Sequence, residues 1–341
     1  MNHEIDLQNY KIRTDLIDET KGIDQIEKLD KQEKNIDNII INNIKINKRQ
    51  AKIINKSEGR YITISFKDIT DFNNKEKVKK IFSDELTNLL KELNLLNKSC
   101  LIIGLGNIKS TPDSLGPLSI DNIIITKHLY ELGQLEEGFS IVSSFIPGVT
   151  GSTGIETSDL IKSIIDTIKP EFVIVIDALA SSSIDRVNKT IQITDTGIHP
   201  GSGVGNSRKE ISKNTLNIPV IAIGVPTVVD ATIIVSDTIE YMQKHYVFNK
   251  KFQNNPMSKL TMSSNVNYLK EKIDITEKDK IELFGLLGYF SNDEIKKLVF
   301  EVLNPIGYNL MVTPKEIDFI IDKLADIIGN GINHTLHKNV N

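Results

Sequence analysis

The chain of 341 residues carries 41 lysines and arginines against 45 aspartates and glutamates, and a formal net charge of -4 argues against the basic surface of a dedicated nucleic-acid binder. Its apolar content of 39% suffices for a core without staples, and its single cysteine, Cys100, excludes an internal disulfide and fits a reducing cytoplasm. No apolar stretch approaches bilayer length, and the opening MNHEIDLQNYK is too polar and acidic for a secretion signal, so no membrane partner is expected.

Residues 1 to 40 are charged and weakly periodic and read as an arm, with an amphipathic helix from Ile23 onward. From Ile44 to Phe66 the alternation in IKINKRQAKI and YITISF, broken at Ser57-Glu58-Gly59, predicts a hairpin or two neighbouring strands. A long helix follows from about Asn74 to Leu96, with Val78, Ile81, Phe82, Leu86, Leu89 and Leu90 on its apolar face and the lysines of 75 to 80 on its solvated one. The apolar run CLIIGL predicts a buried strand, in which Cys100 serves as a small core hydrophobe. Next come a helix around Ser119 to Tyr130, a strand near Ser140 to Phe145, a helix from Glu156 to Ile168 and a strand from Phe172 to Ile176. Thr190 to Thr194 and Pro219 to Ile223 supply further strands. Strands apolar on both faces, alternating with helices, predict an α/β fold with a mainly parallel twisted sheet covered by helices on both sides. Residues 249 to 267 are polar and read as an exposed excursion, and the C-terminus is helical around 278 to 287, 293 to 303 and 314 to 328, with Thr313 as cap to Pro314.

Two carboxylates fall just beyond predicted strands: Asp113 after CLIIGLGNIKSTP, and Asp177 directly after FVIVI. An Asp in such a place is commonly a helix cap or turn former. The C-terminal edge of a parallel sheet is also where ligands and chemistry collect. Two carboxylates delivered there could share one proton and activate water without a metal. Two glycine loops compete for attention. GLGN, Gly104 to Asn107, lacks the third glycine of a dinucleotide fingerprint, and Gly201, Gly203 and Gly205 of GSGVGNSRKE lack the Gly-Lys-Ser/Thr ending of a phosphate loop. His199 has no second His or Cys at ligand spacing, since His128 falls in a predicted helix and His245 near the polar excursion, so no metal or other cofactor is expected. Glu156 and Asp159 read as first-turn helix acids, and Asp195 and Asp230 as caps or partners of the main pair.

The segments IIGLGNIKSTPDSLGPL, VIVIDALASSSIDRVNKTIQITDTGIHPGSGVGN and IPVIAIGVPTVVDA, with IDLQNYKIRTDL at the start and VLNPIGYNLMVTPKEID near the end, resemble the germination proteases of spore-forming bacteria. The resemblance implies a hydrogenase-maturation-peptidase/phosphorylase-like fold and places a catalytic aspartate pair on Asp113 and Asp177. It implies a zymogen whose leader, residues 1 to 15, is removed by self-cleavage between Asp15 and Leu16, leaving a single peptidase domain over 16 to 341. It implies degradation of small acid-soluble spore proteins by cleavage after Glu during germination, a homotetramer, and a location in the forespore and spore core. The GSGVGN loop, Gly201, Gly203 and Gly205, would lie near the active region and offer N–H groups to a peptide carbonyl or its oxyanion. Ser182 stands where the resemblance implies arginine more often. Two other readings compete: a metal-dependent maturation peptidase of the hydrogenase type, with Asp113, Asp177 and His199 as ligands, and a nucleotide-binding regulatory module built on the Gly104 and Gly201 loops.

Overall fold

A computed structural model describes residues 14–20, 22, 23, 26, 29–201, 209–253, 272–303 and 310–338, with backbone alone at 251–253. The chain separates into two compact units, one over 13–229 and 313–341 and another that includes 230–312.

The larger unit is built on one mixed sheet. Its strands are β1 (Asp30–Ile36), β2 (Ile39–Ile46), β3 (Gly59–Ser65), β4 (Cys100–Gly104), β5 (Val142–Phe145), β6 (Phe172–Ser181), β7 (Thr190–Thr194) and β8 (Val220–Asp230). They lie in the order β1-β2-β3-β7-β8-β6-β4-β5. The pairs β8-β6, β6-β4 and β4-β5 are parallel, and the four pairs from β1 to β8 through β7 are antiparallel. The α/β class is as expected, with the parallel strands gathered around β6 and β4 and an antiparallel half added beyond them.

The helices are α1 (Lys48–Ile54), α2 (Phe72–Glu92), α3 (Leu115–Asp121), α4 (Lys127–Glu131), α5 (Thr150–Thr153), α6 (Thr157–Ile168) and α7 (Lys213–Leu216) in the first stretch, then α8 (Ala231–Gln253), α9 (Glu277–Phe284), α10 (Asn292–Leu303) and α11 (Ile317–Leu336). One sheet face buries Ile62, Ile64, Ile102, Ile174, Ile176 and Ile193 against Phe82 and Leu86 of α2 and Leu324 and Ile328 of α11. The alternate residues Val173 and Val175 pack with Leu101 and Ile103 against Ile161 and Ile165 of α6 and Leu216 of α7. That alternation is the period of two that places successive strand residues on opposite faces. On the antiparallel half, Ile44, Ile46 and Tyr61 are covered by Ile17, Ile23 and the α1 residues Ala51 and Ile54.

Several elements depart from the sequence expectations. The arm is a strand from Asp30, because β1 forms a two-residue hairpin with β2 through Asp37 and Asn38, at φ of 51° and 67°. Both central residues of such a turn need positive φ, which Asn and Asp tolerate best after glycine. The second half of IKINKRQAKI is helix α1, started by a capping box in which Asn47 accepts from the Gln50 N–H and the Gln50 side chain accepts from the Asn47 N–H. The predicted helix of 119 to 130 is two short ones, α3 and α4. Thr313 caps no helix: its hydroxyl donates to the Thr227 carbonyl at 2.8 Å, and α11 begins at Ile317. In the smaller unit α8 carries the chain through 249–253, whereas the rest of the predicted excursion, 254–267, lies outside the described residues.

Candidate active site

Strand β4 stops at Gly104, paired with Ile176, whereas β6 continues along β8 to Ser181. Asp177 therefore sits one residue past the last β4-β6 pair but inside its own strand, not beyond its end. Pairing of Ala178 through Ser181 with Val225 through Val229 extends β6, across a register shift at Leu179/Ala180. The residues Ala-Leu-Ala-Ser have little strand preference of their own, so this extension is tertiary. Asp177 is buried, 6% exposed, and its Oδ1 accepts the Ala178 N–H at 2.9 Å.

Asp113 closes a 3-10 turn, Thr111–Asp113, that packs against β6. Hydrogen bonds that fix the turn include Asn107 N–H to the Asp113 carbonyl at 2.9 Å, Asp113 N–H to the Ser110 carbonyl at 2.8 Å, and the Thr227 hydroxyl of β8 to the Pro112 carbonyl at 2.7 Å. Gly106, at φ +116°, lies so close beneath it that a Cβ there would stand 2.0 Å from the Asp113 carbonyl oxygen. The second glycine of GLGN thus seats the Asp113 turn. Both aspartates are brought to the same region at the end of β4.

A row of residues in register crosses the sheet from this point. Asp177 of β6 and Gln192 of β7 both stand opposite Gly224 of β8, Gln192 is opposite Thr63 of β3, and Thr63 is opposite Asn42 of β2. Directly opposed residues project to one face, so the polar side chains line a single track. Thr63 is fully buried, and among the described residues neither its hydroxyl nor the buried Asn42 Oδ1 atom has a hydrogen-bond partner.

The segment on either side of the expected processing bond lies on this track. The Asp15 N–H donates to the Ala180 carbonyl at 3.3 Å, and an Asp15 carboxylate oxygen accepts the Ala180 N–H at 3.1 Å. The Gln192 side chain holds both flanks of the bond, donating from Nε2 to the Asp15 carbonyl at 3.2 Å and accepting the Ile17 N–H on Oε1 at 2.8 Å. Leu16 and Ile17 are fully buried. Burial of two such side chains contributes on the order of 1.5–3 kcal/mol each. Beyond them Asp18 accepts from Asn42 at 3.3 Å, and Glu19 accepts from the Ser181 hydroxyl at 2.5 Å, the Ser182 N–H at 2.6 Å and the Ser182 hydroxyl at 2.9 Å. Arg186 lies 3.4 Å from Asp18 and 3.5 Å from Glu19. Lys56 donates to the Thr14 carbonyl at 2.9 Å; burial lowers the pKa of its ammonium, and the charges of Asp15 and Glu19 oppose that. Ser182, read as a departure from the family pattern, is thus part of the Glu19 anchor.

The remaining candidates fall elsewhere. His199 is exposed and stands 3.8 Å from Glu210, and among the described residues no three His, Cys, Asp or Glu side chains are grouped to hold a metal. Gly201 is at φ +72°, while Gly203 and Gly205 lie outside the described residues. Glu156 is the N-cap residue of α6 and Asp159 in its first turn pairs with Lys209 at 2.8 Å. Asp195 lies beyond the end of β7 and clamps β3 by accepting the Arg60 N–H at 2.7 Å, with burial raising its pKa. Asp230 accepts the Thr232 N–H at 2.7 Å at the start of α8. Gln192, Glu19, Lys56 and Arg186 were not singled out by sequence reasoning. A glutamine inside the apolar strand TIQIT was the one available signal.

The family model described as germination protease matches residues 5–341. The germination protease of Bacillus subtilis (strain 168) is 45% identical over 99% of this chain and 96% of its own length. Those of Bacillus licheniformis and Priestia megaterium are 46% and 44% identical over 99% and 100% of this chain, covering 96% and 97% of their own lengths.

Proposed function

The chain belongs to the germination protease family and is a protease, and we propose that it is made as a zymogen that removes residues 1–15 and then degrades small acid-soluble spore proteins by cleavage after Glu. The observation that carries this reading is the docking of Asp15, Leu16 and Ile17 on the polar row that ends at Asp177. A self-cleaving enzyme needs its own bond presented extended to its reacting groups; in support, Leu16 is extended, at φ -78° and ψ 135°, and Gln192 grips the chain on both sides of the bond in the row that Asp177 shares.

Asp113 and Asp177 form the proposed catalytic pair. One carboxylate, ionised, takes a proton from water as its oxygen attacks the scissile carbonyl, and the other, protonated, donates to the carbonyl oxygen or the leaving nitrogen. Packing of the Asp113 turn against β6 supports the pairing. The burial of Asp177 supports it too, since poor solvation hinders the simultaneous ionisation of two neighbouring carboxylates. An extended, weakly structured substrate enters such a site at little unfolding cost. A homotetramer in the forespore and spore core completes the proposal, on the family likeness alone.

The test is incubation of the purified full chain under mildly acidic conditions, with sequencing of the new N-terminus, followed by mass mapping of a digested small acid-soluble spore protein. A Leu16 terminus and fragments ending in Glu are expected. A stable full-length chain, or cuts without preference for Glu, would count against the reading.

A further inference from the structure

Gln192 is 5% exposed, lies on a strand of the antiparallel half, and spends both ends of its amide on a backbone about 175 residues away in sequence, where sequence proximity contributes nothing to the contact. Its Nε2 donates to the one carbonyl that processing must attack, and its Oε1 fixes the next-but-one N–H on the other side of the bond. Asp177 stands in the same row, two strands away, about 10 Å between Cα atoms at ordinary strand spacing, with only Gly224 between.

We propose that Gln192 is a catalytic residue of self-processing, holding the Asp15–Leu16 bond in register and stabilising the oxyanion formed from the Asp15 carbonyl. The inference rests on the processing reading above. In the step, the oxygen of water bonds to the Asp15 carbonyl carbon while one proton passes to a carboxylate. Negative charge collects on the carbonyl oxygen, where the Gln192 N–H already points. Collapse breaks the carbon–nitrogen bond, and the Leu16 nitrogen leaves with a proton returned by the carboxyl pair, giving an Asp15 carboxyl group and a Leu16 amine. Atoms balance with water as the only co-reactant.

Full-length Gln192→Glu and Gln192→Met are compared with the unaltered chain, following the rate at which a Leu16 N-terminus forms from neutral to mildly acidic pH, with thermal unfolding of each as a control. The methionine variant keeps the volume and removes both hydrogen bonds, so processing should slow at least about tenfold at every pH. Gln192→Glu keeps the acceptor for Ile17 but loses the donor at neutral pH. Its rate relative to the unaltered chain should rise on acidification, as the introduced carboxyl group gains a proton and donates again. A merely structural role gives no such recovery. If Gln192→Glu fails to fold, Gln192→Met alone decides, and if both fail, slowed processing and a displaced cut in Gln192→Asn, which keeps the amide but shortens its reach, take their place. A Leu16 end from the unaltered chain together with unslowed variants overturns the role of Gln192 and leaves the processing reading standing. No Leu16 end from the unaltered chain overturns both.

Discussion

Leu179 of β6 fills the space over Gly224 of β8, its Cδ1 lying 2.4 Å from where a Cβ on that glycine would be. Leu179 is itself buried, so it has little room to retreat. Gly224→Ala should therefore destabilise the protein by about 1–3 kcal/mol, the usual range for overpacking a core. It should also slow processing, because Gly224 is the floor between Asp177 and Gln192. Denaturant unfolding and the rate of leader release read the two effects, and an unchanged midpoint would show that the row has slack.

Asp113→Asn and Asp177→Asn should each lower proteolysis at least about a hundredfold while leaving the fold intact. At position 177 an asparagine oxygen can still accept the Ala178 N–H, so local geometry survives while the ionisable group is lost. Circular dichroism with a spore-protein cleavage assay decides. Substantial activity in either folded variant would remove that residue from the pair.

Legibility in the sequence followed local self-sufficiency. β7 agrees residue for residue with the expected Thr190 to Thr194, and α6 and β4 are close, because each pairs a clear apolar period with a clean boundary. β1 was missed because all seven residues are exposed and carry no apolar alternation; it exists through the Asp37-Asn38 turn and its pairing with β2. α1 was missed because alternation hid the Asn47-x-x-Gln50 box. The aspartates stand out as candidates in their motifs, whereas the Gln192 contact depends on a segment that only the fold brings near.

A chain beginning at Leu16 should be active on a spore-protein substrate without a processing lag, since Leu16, Ile17 and Glu19 retain their anchoring contacts. The full chain should show a lag that ends as leader is released, because a tethered segment competes at high effective concentration. Equal initial rates for the truncated chain and for uncleaved full-length protein would show that the leader exerts no restraint.

His337 at the end of α11 should make stability fall on acidification. Its Nδ1 accepts the Ser140 N–H at 3.3 Å, its Nε2 lies 3.3 Å from the Ile124 carbonyl, and Phe139 packs on the ring with centroids 5.1 Å apart. This is the neutral form with its proton on Nε2; a proton on Nδ1 would face another N–H. Burial lowers the folded pKa below the ordinary 6.5, so the unfolded chain binds the proton first. The contribution is therefore fully present above 6.5 and declines as pH falls from there toward the folded pKa. His337→Gln should flatten that part of the melting temperature profile, and an equally steep profile would assign the slope to other groups.

Self-processing should be first order in protein and should accelerate from neutral toward mildly acidic pH. The proposed processing bond is gripped by Gln192 of the same chain, on the face that Asp177 shares, so no second molecule is needed to present it. Acid hydrolysis requires one carboxyl of the pair to be protonated, and the ordinary Asp pKa of about 4 leaves few such molecules near neutrality unless the pair raises it. Rates of Leu16 N-terminus formation should be measured at several protein concentrations across that pH range. A rate constant that grows in proportion to concentration would establish cleavage between molecules, and one that drops on acidification would overturn the shared proton.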